Sequence, residues 1–230
     1  MSFQRDLFRK IRKKMELSRS YKVIPLKTWR RRELFQSFLA FDSPCFSVSF
    51  EPEILPLKKF AEERGESFFL RTLFEIARAY NSVPEMRRRF LNEDAIAEYD
   101  VVHPSTPLMT ADGENYCQTT LPFRETFKEF AAIAEPIIEA VRRGNASGQV
   151  IENDLPNCFC ASCVPWFCAA GYAPASYSRN QDIHVLTWFK MTAAGTVLVS
   201  NRFNHCFTDG IHVGRFFNAI ARNFREPLAE

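Results

Sequence analysis

The stretch FNHCFTDGIHVGRFF, residues 203 to 217, sets His205, Asp209 and His212 within eight positions, beside Gly210 and Gly214. The chain has only four histidines, so two in one short run ask for a chemical reason. Three are open: metal binding, proton transfer and plain packing. Zinc on one helix face wants histidines four apart with a glutamate between them, as in H-E-x-x-H. Here the two are seven apart, with a strand-to-helix turn expected between them. A neutral imidazole beside a carboxylate is a good general base at neutral pH. A thiol paired with His205 is a further route, because seven cysteines are available. For an isolated histidine in an apolar strand, packing alone is the better expectation.

Four of the cysteines crowd into CFCASCVPWFC, residues 158 to 168. Structural zinc usually takes paired C-x2-4-C knuckles separated by a longer loop. The residues between these thiols include Phe159, Val164, Pro165, Trp166 and Phe167, which suits a buried strand of small apolar thiols. No metal is expected. The N-terminus is basic and has no apolar core of a signal peptide, so the thiols are expected to be reduced and the protein cytoplasmic.

Charge divides the chain. Residues 1 to 32 carry twelve lysines and arginines against Asp6 and Glu16, and the remainder is net acidic. A basic arm of this kind could meet nucleic acid or an anionic membrane. Aromatic residues are thinly interleaved in it, so a solvated helix docked on its own acidic body or on a neighbouring subunit is preferred, with neither nucleic acid nor membrane as partner. Phe3, Leu7, Ile11 and Met15, four apart, give that helix a narrow apolar stripe. Residues 1–20 are read as a basic helical extension and 21–230 as one domain. Phenylalanine occurs 23 times, which points to an aromatic core or pocket.

The elements that must position the histidines follow from periodicity. KTWRRRELFQSFLAF reads as a helix with Trp29, Leu34, Phe35 and Phe38 inward, and CFSVSF after it as a strand. Two helices follow, separated near Gly65, the second capped by Ser67. Strands are expected around 95 to 109 and 116 to 121, then a long helix ending at Arg142, Arg143 and Gly144 and kinked at Pro136. CFCASCVPWF, IHVLTWFKM and TVLVSNRFNH read as strands, with a hairpin turn at residues 193 to 195. DGIHVGRFFNAIARNF closes the chain as a helix, with Asp209 at its N-terminus. The sum is one α/β (α+β) domain, a two-layer sandwich of a mixed sheet with helices packed on one side.

NHCFTDGIHVGRF resembles the H-H-x-x-x-D-G-x-H-V-x-R-F signature of the chloramphenicol acetyltransferases. The resemblance recurs in order along residues 22 to 222. TWRRRELFQSF is similar to that family's early tryptophan helix, and SPCFSVSFEPEI to its next strand. NSVPEMR, VVHPSTPL and CASCVPWF are similar to three further family segments. The acyltransferase core of 2-oxo acid dehydrogenase complexes is a weaker match that shares the fold and an H-x-x-x-D-G motif.

The resemblance implies an O-acetyltransferase with no permanently bound cofactor, using acetyl-CoA as co-substrate and chloramphenicol or another small hydroxyl compound as acceptor. It implies a homotrimer with active sites at subunit interfaces. His205 matches the family's base, which deprotonates the acceptor hydroxyl for direct attack on the thioester, a step worth about 10²–10⁴-fold. Ser162 matches a serine that stabilises the tetrahedral oxyanion, from the facing subunit; losing one such donor costs about 10²–10³-fold. Asp209 and Arg31 match a buried ion pair supporting the site, whose disruption would cost about 3–5 kcal/mol. Lys190 matches a lysine facing the CoA phosphates, with a plain exposed lysine as the other reading. Phe38 and Phe46 match aromatics of the acceptor pocket, with aromatic core as the other reading. His212 and Arg215 match last-helix positions with packing and surface roles. Three departures stand out. Asn204 replaces the first of two adjacent histidines, Cys160 replaces a small polar residue, and residues 109–121 and 170–183 depart from the family pattern.

Overall fold

The computed structural model describes residues 19–144, 156–176, 178 and 181–229. The expected N-terminal helix lies almost wholly outside them. Among the described residues, six strands form one sheet: β2 (Cys45–Phe50), β5 (His103–Met109), β6 (Tyr116–Thr120), β7 (Cys158–Val164), β8 (Val185–Phe189) and β9 (Val199–Asn204). They lie in the order β2, β9, β8, β7, β5, β6. β5, β7 and β8 run parallel and the other neighbours antiparallel, so the sheet is mixed, as expected.

The α-helices among the described residues are α1 (Arg32–Leu39), α2 (Leu55–Glu63), α3 (Phe68–Ser82), α4 (Phe127–Arg142) and α5 (Gly210–Arg225). Apolar side chains three and four apart drive their burial. On α3 these include Leu70, Leu73, Phe74 and Ala77; on α5 they are Val213, Phe216, Phe217, Ile220 and Phe224. They meet Phe159, Ala161, Leu186, Trp188, Val199 and Phe203 of the sheet in one cluster. Each fully buried phenylalanine contributes about 1.5–3 kcal/mol. Side chains alternate across a strand, so Ser162, Thr187 and Ser200 occupy the sheet face away from this cluster.

The Ser67 cap behaves as read. The Ser67 hydroxyl accepts from the Leu70 amide at 3.4 Å, and Thr126 accepts from the Glu129 amide at 3.3 Å to start α4. α4 continues through Pro136 as one helix. In the 193–195 turn Gly195 has φ 82°, and a Cβ there would come within 2.9 Å of Leu55, so glycine is required on both counts.

Sequence periodicity missed a second sheet. β1 (Tyr21–Pro25), β4 (Ala95–Tyr99) and β3 (Arg88–Phe90) form three antiparallel strands with β4 central. The expected strand over 95–109 is therefore two strands in different sheets, broken at residues 100–102. Strands as short as RRF carry no readable period. Between the two sheets lies a separate small core of Leu26, Phe35, Ile96, Cys206 and Phe207. Among the described residues no helix is long and apolar enough to cross a membrane.

Candidate active site

The small core holds the turn that follows β9. Phe207 packs against Phe90 and Phe35, with ring centroids 4.8 and 5.9 Å away. Asn204 then builds the turn. Its Oδ1 accepts from the Cys206 amide at 2.8 Å, and its own carbonyl accepts from the Phe207 and Thr208 amides and the Thr208 hydroxyl. This is the asparagine turn chemistry that competes with strand continuation. His205 consequently sits in the turn rather than in a strand, and Cys206 is plugged into the small core rather than pointing across a pleat. The residue type of Asn204, a turn former, is itself the sequence signal for this role.

The imidazole of His205 is clamped. Phe38, on α1, stacks on it at 4.1 Å with planes 8° apart, and Phe46, on β2, lies at 4.3 Å on a 33° tilt. The His205 amide donates to the Pro44 carbonyl at 2.9 Å. Its Nδ1 stands 3.3 Å from Asp209 Oδ1. A carboxylate oxygen only accepts, so Nδ1 carries the hydrogen and Nε2 is left with a lone pair. About a third of the side chain is exposed, so that lone pair belongs to an accessible group.

Asp209 is the N-cap residue of α5 and divides its carboxylate between two partners. One oxygen faces His205, and the other accepts from Arg31. The Arg31 hydrogen bond is the largest of the effects that hold the Asp209 carboxyl below its usual range. The pair expected from sequence is present, but its side chains are 17% and 28% exposed. It is a partly solvated pair, so the cost of breaking it falls toward the surface range, about 1–2 kcal/mol rather than 3–5. His212, buried on α5, accepts at Nδ1 from the Asp209 amide at 2.9 Å. Arg215 is exposed on the same helix.

Ser162 is not part of this constellation within one chain. It is half-buried on β7, opposite Thr187, which lies opposite Ser200. His205 is five residues further along the chain from Ser200, so the two side chains lie on the order of 15 Å or more apart at ~3.3 Å per residue and ~4.8 Å per strand. Lys190 is exposed just beyond β8, at the end of the sheet remote from His205. Cys160 neighbours Val185 and Ser105 across the sheet.

The thiols do not gather. Cys158 and Cys160 share one face of β7, Cys163 takes the other, and Cys168 lies exposed beyond the strand. Among the described residues no group of three or more His, Cys, Asp or Glu side chains could hold a metal ion. Burial pushes the Cys206 thiol, next to His205, up to about 12, which leaves it a poor nucleophile beside that imidazole.

The model of the family described as chloramphenicol acetyltransferase matches residues 19–221. Chloramphenicol acetyltransferase 3 of Escherichia coli is 25% identical over 210 residues, 87% of this chain and 95% of that protein. A chloramphenicol acetyltransferase of Clostridioides difficile is 25% identical over 207 residues, 87% and 94% of the two chains. Among solved structures, a chloramphenicol acetyltransferase superposes with a TM-score of 0.76 at 22% identity, covering 90% of this chain and all of the other. A dihydrolipoamide acetyltransferase of Azotobacter vinelandii superposes with a TM-score of 0.61 at 18% identity, covering 84% and 85%. These two structural likenesses establish a common fold.

Proposed function

The chain belongs to the chloramphenicol acetyltransferase family, and from that premise we propose that it transfers the acetyl group of acetyl-CoA to the hydroxyl of a small acceptor, with His205 as general base. The observation that carries this reading is the His205 ring itself, clamped by Phe38 and Phe46, hydrogen-bonded at Nδ1 to Asp209 and partly exposed. Nε2 takes the acceptor's proton as its oxygen attacks the thioester carbonyl. The tetrahedral intermediate then collapses, the carbon–sulfur bond breaks, and the imidazolium returns the proton to the CoA thiolate. Asp209 stabilises the transient imidazolium, and Arg31 steadies Asp209. The two phenylalanines restrict ring rotation, so Nε2 is already aimed, and they form one wall of the acceptor pocket.

Ser162 donates to the oxyanion from a neighbouring subunit. Two observations support an active site shared between copies of the chain. The first is the separation of Ser162 from His205 along one sheet. The second is exposed apolar surface at both places: Phe41 beside Phe38, and Trp166 and Phe167 just after β7, are each more than half exposed. Large exposed aromatics of this kind mark surfaces that meet a partner. A homotrimer brings the two surfaces together, and the exposed Lys190 then faces the CoA phosphates from the Ser162 side.

The acceptor is chloramphenicol or another compact hydroxyl compound. The test is acetyl-CoA turnover, followed by release of the CoA thiol, against a panel of hydroxyl acceptors that includes chloramphenicol. Turnover by the native chain and a loss of about 10³-fold or more in His205→Ala are expected. Full activity in His205→Ala would overturn the mechanism.

A further inference from the structure

We propose that His212 is a positioning residue for the acyl-transfer site, because its neutral imidazole anchors the Asp209 amide and thereby orients the carboxylate between His205 and Arg31. This rests on His205 as the base. Asp209 N–H donates to His212 Nδ1 at 2.9 Å, so Nδ1 is an acceptor and the hydrogen sits on Nε2. Nε2 stands 3.7 Å from Glu85 Oε1, on the short helix Pro84–Arg87 beneath the small sheet. Glu85 is held in turn by Arg88 at 3.2 Å, and Arg88 by Glu98 at 2.9 Å. A line of polar contacts therefore runs from the small sheet to the catalytic turn and ends on the main chain of the residue whose side chain orients His205.

The geometry works for one protonation state. An imidazolium has no acceptor nitrogen, so protonating His212 would set Nδ1–H against the Asp209 N–H. The amide would lose its partner, and the carboxylate would no longer be divided between His205 and Arg31. The charged groups facing His212 are Glu85 from the short helix, Arg31 from the segment before α1, Asp209 from the turn and Arg215 from its own helix. Glu85 and Asp209 favour the imidazolium, and Arg31 and Arg215 oppose it. Burial is the largest effect and favours the neutral form, so the group titrates below its ordinary value of 6.5. A glutamine at this helix position would fill both roles, accepting from the N-cap amide and donating toward Glu85, without titrating.

The experiment measures kcat and KM for the native chain, His212→Gln and His212→Leu from about pH 5 to about pH 8, together with the ¹⁵N signals of the His205 ring. His212→Leu is expected to lose about 10–100-fold in kcat with KM nearly unchanged, the mark of misplaced catalytic geometry. His212→Gln is expected to keep kcat within about threefold near neutral pH and to lose it less steeply than the native chain as pH falls. Native kcat in His212→Leu, or an acid limb as steep in His212→Gln as in the native chain, would overturn the proposal. Should His212→Leu not fold, the His212→Gln comparison decides. Should the native chain acetylate nothing in the panel, the functional reading fails and the ring signals decide alone. His205 is expected to show a single Nδ1–H form in the native and Gln chains and a mixture in the Leu chain, and identical signals in all three would count against positioning.

Discussion

The turn that ends β9 and the strand β7 are carried by the same sheet, yet they treat polar side chains in opposite ways. In the turn, Asn204, His205, Asp209 and His212 are each engaged within the chain, and two phenylalanines lock the one ring left partly open. On β7, Ser162 lies half-exposed beside the buried Thr187 of β8 and is followed by two exposed aromatics, Trp166 and Phe167. One region is complete inside a single chain, and the other presents a hydroxyl and apolar surface outward. The difference teaches that a rigidly held imidazole and an open hydroxyl can be separate features of one chain. Under the proposed mechanism, the base would be fixed by its own chain and the oxyanion donor carried to it by the next.

That division makes an all-or-none prediction. His205→Ala and Ser162→Ala chains, each purified alone, lose turnover by about 10³-fold or more and about 10²–10³-fold respectively. Unfolded, mixed in equal amounts and refolded together, they should regain about a quarter of native activity, because about one interface in four pairs an intact His205 with an intact Ser162. If mixing restores nothing although mixed assemblies form, both residues act from one chain and the contrast between the regions collapses.

Acid should separate the regions next. The N-terminal end of β7 is flanked by two buried imidazoles: His103 pairs with Cys158, and the His184 carbonyl accepts from Cys160. Burial lowers His103 to about 4 and His184 to about 3, from an ordinary 6.5. Both are neutral when folded and take up a proton more readily when unfolded. Their contribution to stability is therefore complete above about pH 6.5 and is lost as pH falls toward their folded values. Each adds up to about 1.4 kcal/mol per pH unit to the slope across that window. Asp209, held low chiefly by Arg31, gives way only below the ordinary carboxylate range. Urea unfolding of the native chain and His184→Gln between about pH 6.5 and about pH 4 should show a shallower slope in the variant. Equal slopes would mean that His184 does not hold this end of the sheet.

Much of this contrast was readable in the sequence, and the physical reasons for the rest are specific. Long amphipathic helices such as Phe68–Ser82 and Gly210–Arg225 announce themselves by period and caps. His205, Asp209 and Arg31 meet because a motif spanning strand end, turn and helix start fixes a local geometry, and the resemblance supplied the distant arginine. The small sheet escaped because Tyr21–Pro25 and Arg88–Phe90 are too short to show alternation. It matters here because its core seats Phe207 and its neighbouring helix presents Glu85 to His212. Spacing does not reveal how far Ser162 lies from His205, since that depends on strand order, and order is set by pairing between segments remote in the chain.

The smallest expected effect is also a gauge of how closed the turn becomes in the assembly. Arg31→Ala removes the partner of one Asp209 oxygen and leaves the other on His205. Asp209 stays ionised at neutral pH without Arg31, so the His205 tautomer is retained and kcat should fall by no more than about tenfold. With both side chains in partial contact with water in the single chain, the stability loss should be about 1–2 kcal/mol, read from the urea midpoint at constant slope. A loss of about 3–5 kcal/mol would instead describe a pair sealed from solvent. Since one copy of the chain leaves the pair partly open, a neighbouring subunit would have to provide the seal, and the turn would then be no more self-sufficient than β7.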